Sequence, residues 1–229
     1  MVKYARLISM GRPRTFDAQE ALAAARAQFW AKGYAATSLD DLMTATGLGK
    51  GSLYCAFGDK HQLFLAVLSD YSARSVEGLR QALSEDHSAI EALRGLFRSK
   101  APGPTASATT GVRGCLLVNS TSELAPHDAE VVKLARLAYG AVEDLIAEAV
   151  ERARDSGDLP PDTHPRELAG LLLAVMQGQE FLAKTGMAPQ ALRAIGESAA
   201  SRLLASPKAP GPTRARRRAS RAKRSAGSE

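Results

Sequence analysis

Between residues 17 and 71 apolar side chains recur at three- and four-residue intervals and glycines interrupt them often, a pattern that predicts several short helices. Leu22, Ala25, Phe29 and Trp30 share one face of a first helix that opens at Asp17 and stops at Gly33. Ser38 precedes Leu39-Asp40-Asp41-Leu42-Met43, where a hydroxyl and a carboxylate three residues on predict a reciprocal cap and a second helix. Gly47-Leu48-Gly49 ends that helix within two turns and supplies a residue tolerant of positive φ for the reversal. Lys50 to Phe57 makes a third helix with Leu53 and Phe57 on one side, and a fourth starts near Lys60 with Leu63, Phe64, Val67, Leu68 and Tyr71 inward.

Further along, a helix from about Ile90 to Ser99 runs into residues 101–111, a Pro-, Gly- and Thr-rich run without periodicity that reads as a flexible loop. Cys115-Leu116-Leu117-Val118 opens another helix, which Pro126 breaks. Asp128 to Ser156 is long and amphipathic, with Val132, Leu134, Leu137, Val142, Leu145, Ile146 and Val150 expected inward. Two last helices, near Arg166 to Lys184 and Pro189 to Leu204, carry more apolar residues than a small bundle needs, which points to a four-helix seam with a second copy, the alternative being that they complete the monomer core. Alanine and leucine dominate and aromatics are 5%, so the expected fold class is all-α.

Charge sharpens this picture. Residues 1–14 hold +4 and residues 207–229 hold +7, which leaves −5 on the middle of a chain whose total is +6. Basic ends on an acidic body suggest attachment to a polyanion through the termini, Arg12 and Arg14 included, with salt-dependent affinity. No apolar stretch has the length of a membrane span or a secretion signal, so a cytoplasmic protein without a membrane partner is expected. Cys55 and Cys115 have no metal-ligand spacing, and neither a metal nor a cofactor is expected. Gly47 to Ser52 lacks the spacing of a nucleotide-phosphate loop. An enzyme built on His127 or His164 would need converging catalytic groups, and none stands out.

Two short helices joined by a glycine turn, the second with a polar outer side, fit a helix-turn-helix. If Leu39, Leu42, Met43, Leu48, Leu53 and Phe57 face the first helix, then Lys50, Gly51, Ser52, Tyr54 and Cys55 face the major groove. Lys50 supplies charge for a phosphate or a guanine edge, Ser52 and Tyr54 supply hydroxyls, and Gly51 permits close approach. Thr37, Ser38 and Lys60 sit at helix starts, where side chains and amides can clamp phosphates.

Residues 12–71 closely resemble the DNA-binding domain of the tetracycline-repressor (TetR) family. The likeness is carried by Ala24-Ala25-Arg26-Ala27-Gln28-Phe29-Trp30-Ala31-Lys32-Gly33-Tyr34, by Thr37-Ser38-Leu39-Asp40-Asp41-Leu42 and by Gly51-Ser52-Leu53-Tyr54-Cys55-Ala56-Phe57-Gly58-Asp59-Lys60. The resemblance implies DNA-contact roles for Thr37, Lys50, Ser52, Tyr54 and Lys60. It also implies a helix-turn-helix domain (12–71) followed by a larger effector-binding and dimerisation domain (72–206), while composition and charge predict a flexible arm (1–11) and a disordered basic tail (207–229). Cys55 and Ala56 depart from the bulkier residues of many relatives, so base preference does not transfer.

In that family the larger domain encloses a small molecule whose binding moves the fourth helix and spreads the two recognition helices of a homodimer from successive major grooves of an operator. The implied function is a ligand-responsive repressor, with Cys115, Asn119, Glu123, His127, Tyr139, Met176, Gln177 and Phe181 as candidate effector contacts. Gly114-Cys115-Leu116-Leu117-Val118-Asn119 resembles a segment in which some relatives sense electrophiles or oxidants through the cysteine. Here Arg113 and a helix start would both favour the reactive thiolate. A constitutive architectural DNA binder, keeping the helix-turn-helix without the sensor, is the competing reading.

Overall fold

The structure, a computed structural model, describes residues 16–84, 88–98 and 114–205. The arm, Arg12 and Arg14, residues 101–111, Arg113 and the basic tail lie outside the described residues. Among the described residues the chain is all-helical: α1 (Ala18–Lys32), α2 (Leu39–Thr46), α3 (Lys50–Phe57), α4 (Lys60–Ala82), α5 (Ala89–Arg98), α6 (Leu116–Leu124), α7 (Ala129–Asp155), α8 (Pro165–Lys184) and α9 (Pro189–Leu203).

Local chemistry accounts for the boundaries in the N-terminal head. The Asp17 carboxylate accepts from the Gln19 amide at 2.7 Å to start α1. Ser38 and Asp41 close a reciprocal cap on α2, with the Asp41 amide donating to Ser38 Oγ at 3.1 Å and the Ser38 amide to Asp41 Oδ2 at 2.9 Å. Gly47 takes φ 68 between α2 and α3, a conformation that the sequence reserves for glycine. Phe29, Leu42, Leu53, Leu63, Phe64 and Leu68 fill the head's core, with Phe29 and Phe64 edge to face at 5.0 Å.

The α4 helix runs unbroken through residue 71, so the expected boundary between the two domains falls inside a helix. Its second half joins the body. There Ile90, Leu93 and Phe97 of α5, Ile146 and Val150 of α7 and Leu168 and Leu172 of α8 form the larger core. The α7 helix is central and packs on α4, α5, α6 and α8. Its buried face corrects the sequence reading: Leu137 is 64% exposed, while Val131, Ala135, Ala138, Ala149 and Ala153 are inside. Small side chains let neighbouring helices approach closely, and hydropathy gives alanine little weight. Leu171, Phe181 and Ile195 also point outward, on α8 and α9. No described helix is long and apolar enough to cross a membrane.

Candidate nucleic-acid interface and sensing site

Burying Leu53 fixes how α3 faces outward. With that residue 2% exposed, Lys50, Gly51, Ser52, Tyr54 and Cys55 all stand in solvent on the other side. The Lys50 ammonium lies 5.7 Å from the Tyr54 ring centre, so an i, i+4 cation–π contact orders two of the candidate DNA contacts together. Gly49 starts α3 without a side-chain cap, leaving its first amides open at the same end as Lys50. Phe57 rests against Phe16, ring centres 6.5 Å apart, which closes the far end of α3 on the start of α1.

The flanking residues divide. Lys60 is half-buried, with its ammonium 4.5 Å from the Tyr34 ring centre. Tyr34 itself is pushed above its ordinary value by burial and then by the nearby carboxylate of Asp59. Ser38 is exposed, but its hydroxyl is engaged as the cap of α2. Thr37 needs correcting as a DNA contact: it is fully buried and its hydroxyl donates to the Gly33 carbonyl at 2.6 Å, so its side chain holds the turn instead of facing a phosphate. The Lys32 ammonium binds Asp41 at 2.6 Å and is thereby tied into the cap.

In the body, the eight candidate effector contacts do not form one wall. Cys115 and Tyr139 come together with Leu117, Ala135, Ala138 and Tyr71. The Tyr71 hydroxyl donates to Cys115 Sγ at 3.6 Å, and its ring meets Trp30 edge to face at 5.2 Å. Trp30 in turn donates its indole N–H to the Gly114 carbonyl at 3.0 Å. Burial, and then the neighbouring Cys115, raises both phenols above their ordinary value, Tyr139 to about 12. Cys115 stands at the N-cap position of α6 without a side-chain cap bond, and Asn119 lies one turn along, half-buried. Gln177 is half-buried on α8, with an Oε1 sealed from solvent and without a hydrogen-bond partner among the described residues.

The remaining four go elsewhere. Met176 belongs to the body core. Phe181 is 54% exposed on α8. His127 is exposed on the rim of a surface depression of about 620 Å³ beside Lys133 and Arg136. Glu123 is exposed, and its carboxylate is taken up by backbone amides of the head, not by an interior space. Trp30 and Tyr71, which the sequence presents only as helix-packing positions, are the groups that join the Cys115 cluster to the head.

Residues 21–67 match the family described as bacterial regulatory proteins, tetR family, and residues 89–198 match the tetracyclin repressor-like C-terminal domain. The chain is 32% identical over 188 residues to the HTH-type transcriptional repressor ComR of Escherichia coli K12, an alignment covering 82% of this chain and 89% of ComR. It is 28% identical over 191 residues to the repressor BdcR of the same organism, covering 82% of this chain and 94% of BdcR. Among solved structures it is similar to a cysteine mutant of the TetR-family regulator CifR complexed with a 26-bp operator, at 33% identity and a TM-score of 0.72, covering 82% of this chain and 98% of that one.

Proposed function

The chain belongs to the tetR family of bacterial regulatory proteins, and from that premise we propose a homodimeric transcriptional repressor, cytoplasmic, that binds double-stranded operator DNA and leaves it on a chemical signal. The observation that carries the reading is the outer face of α3, where Lys50, Gly51, Ser52, Tyr54 and Cys55 are exposed together around the buried Leu53. An eight-residue helix held by one apolar anchor, with polar groups on its open side, fits a major groove. The outward Leu171, Phe181 and Ile195 of α8 and α9 supply apolar surface for a second copy, which two operator half-sites require.

The signal enters, in this reading, at the cluster around Cys115. A thiol at a helix start, half-buried and bonded to a tyrosine that also touches Trp30 of the head, couples a chemical change in the body to the DNA-binding unit. A small organic effector, or an oxidant or electrophile acting on the thiol, fits the same place. The ComR and BdcR names, both repressors, favour repression over activation.

A gel shift on DNA from immediately upstream of the gene, at two salt concentrations with unrelated competitor, tests the first part. A discrete competitor-resistant complex is expected; smearing that salt abolishes would count against sequence-specific binding. Treatment of the complex with hydrogen peroxide tests the second part. Release that persists in Cys55→Ala but vanishes in Cys115→Ser is the expected result, and release lost only with Cys55 would move the sensor to the DNA-facing thiol.

A further inference from the structure

Glu123 stands near the end of α6, in the body, yet its carboxylate is bound to the head. Oε2 accepts from the Tyr34 amide at 3.0 Å and Oε1 from the Ala35 amide at 2.8 Å. Two successive backbone amides facing one carboxylate form a small anion-binding concavity, and both bonds are charge-assisted. The concavity depends on Gly33, which ends α1 at φ 81, and a Cβ on that residue would come within 2.8 Å of Glu123 Oε2. On the other side of the same turn Thr37 holds the Gly33 carbonyl. The turn gripped by Glu123 is therefore fixed internally, and it leads directly into α2, the first helix of the helix-turn-helix.

Two further ties join the head to the same stretch of body. The Trp30 indole donates to the Gly114 carbonyl at 3.0 Å, and His61 Nε2 lies 2.7 Å from Asp128 Oδ2, the carboxylate that caps α7. Gly114 and Asp128 flank α6, Glu123 lies in its last turn, and Cys115 precedes its first residue. Trp30 and His61 lie on α1 and α4; the carboxylate of Glu123 alone among these three ties reaches the turn between α1 and α2.

We propose that Glu123 is the positioning residue that sets the helix-turn-helix relative to α6, so that a displacement of α6 reaches α2 and α3 through this carboxylate as well as along α4. The consequence for DNA rests on the regulatory reading above; the grip itself does not.

Glu123→Gln and Glu123→Asp in the full chain test it. Glutamine keeps the length but has one acceptor and turns an NH2 toward the second amide, whereas aspartate keeps the charge and withdraws it by one methylene. Amide hydrogen exchange reads the grip, anisotropy on the operator reads positioning, and thermal melting checks the fold. We expect both variants to melt like the parent chain. The Tyr34 and Ala35 amides should exchange roughly tenfold faster while those of Leu42 and Leu53 are unchanged, and operator affinity should shift by about fivefold or more. Unchanged exchange at Tyr34 and Ala35 overturns the grip. Faster exchange with affinity held within about twofold overturns the positioning role, and so does an aspartate variant that behaves like the parent while glutamine does not, because charge alone would then explain the effect. A parent chain that binds no operator sinks the regulatory reading instead, and the exchange measurement still decides the grip.

Discussion

In the head, α1, α2 and α4 begin on Asp17, Ser38 and Asp59, side chains that take up the first amides, and only α3 lacks such a cap; in the body α6, α8 and α9 begin at Cys115, His164 and Ala188 with no side-chain cap, while Asp128 caps α7. The interiors differ in the same sense. Aromatic rings lock the head's core, with Phe29, Tyr34 and Phe64 in mutual contact. The body buries alanines along α7 and leaves Ser72 Oγ, Gln177 Oε1 and Gln179 Oε1 without hydrogen-bond partners among the described residues. Buried polar atoms that lack partners are costly and mark the places where a second arrangement, or a ligand, is nearest in free energy. On these grounds the head is the more tightly specified unit and the body the looser one.

The largest effect expected from breaking this contrast is in the head's core. Phe29→Ala should lower stability by about 3–5 kcal/mol, read by urea unfolding, because the ring meets both Phe64 and Tyr34 and leaves a cavity. A cost near 1 kcal/mol or less would mean that the head repacks as freely as the body is expected to. Next, Lys50→Ala should weaken operator binding by about 1–3 kcal/mol while the ratio of affinities with and without the signal stays constant, since Lys50 lies on the surface of the rigid unit. A changed ratio would show that the head itself deforms.

Smaller effects refine the comparison. Ser38→Ala should cost about 1 kcal/mol in thermal unfolding through loss of the α2 cap. Asp41, the other half of that cap, is held down at about 2 by the Lys32 ammonium and then by the Ser38 amide. The folded chain therefore binds that proton less tightly than the unfolded one. The contribution of Asp41 is present above the ordinary value of 3.8 and lost as the pH falls through it toward 2. In Asp41→Asn, melting temperature should fall less steeply over that acid range than in the parent chain. Smallest of all, Ser72→Ala should leave stability unchanged or raise it by up to about 1 kcal/mol, since it removes a buried hydroxyl without a partner. A clear loss would show that Ser72 has a partner, such as buried water, and that the body is better satisfied than described.

The same contrast governs what could be read from residues alone. Caps, glycine stops and three- or four-residue spacing are local, so the head's helices and the outward set on α3 follow directly from Asp17, Gly33, Ser38, Gly47 and Leu53. Thr37 misled because its position at a helix start says nothing of whether its hydroxyl is already used by Gly33. In the body the determinants are long-range. Leu137 fits an apolar stripe in sequence, yet the neighbouring helices pack against Ala135 and Ala138 instead. Glu123 looked like a polar group for an effector, and only its approach to Tyr34, 89 residues away, reveals its use. Cys115 and Tyr139, two of the eight candidate effector contacts, lie together, but Tyr71 and Trp30, which join them to the head, carry no signal in sequence beyond their hydropathy.

The unbroken course of α4 has a mechanical side. From Lys60, at the head, to Tyr71, where the cysteine cluster touches it, the helix rises by about 17 Å at about 1.5 Å per residue. A stiff rod pivoting at Tyr71 by roughly 10° sweeps its head end through about 3 Å, close to the step between stacked bases in a duplex. A tilt of that size would carry the recognition helix about one base step along its groove, so the length of α4 turns a small angular change in the body into a large displacement at the DNA.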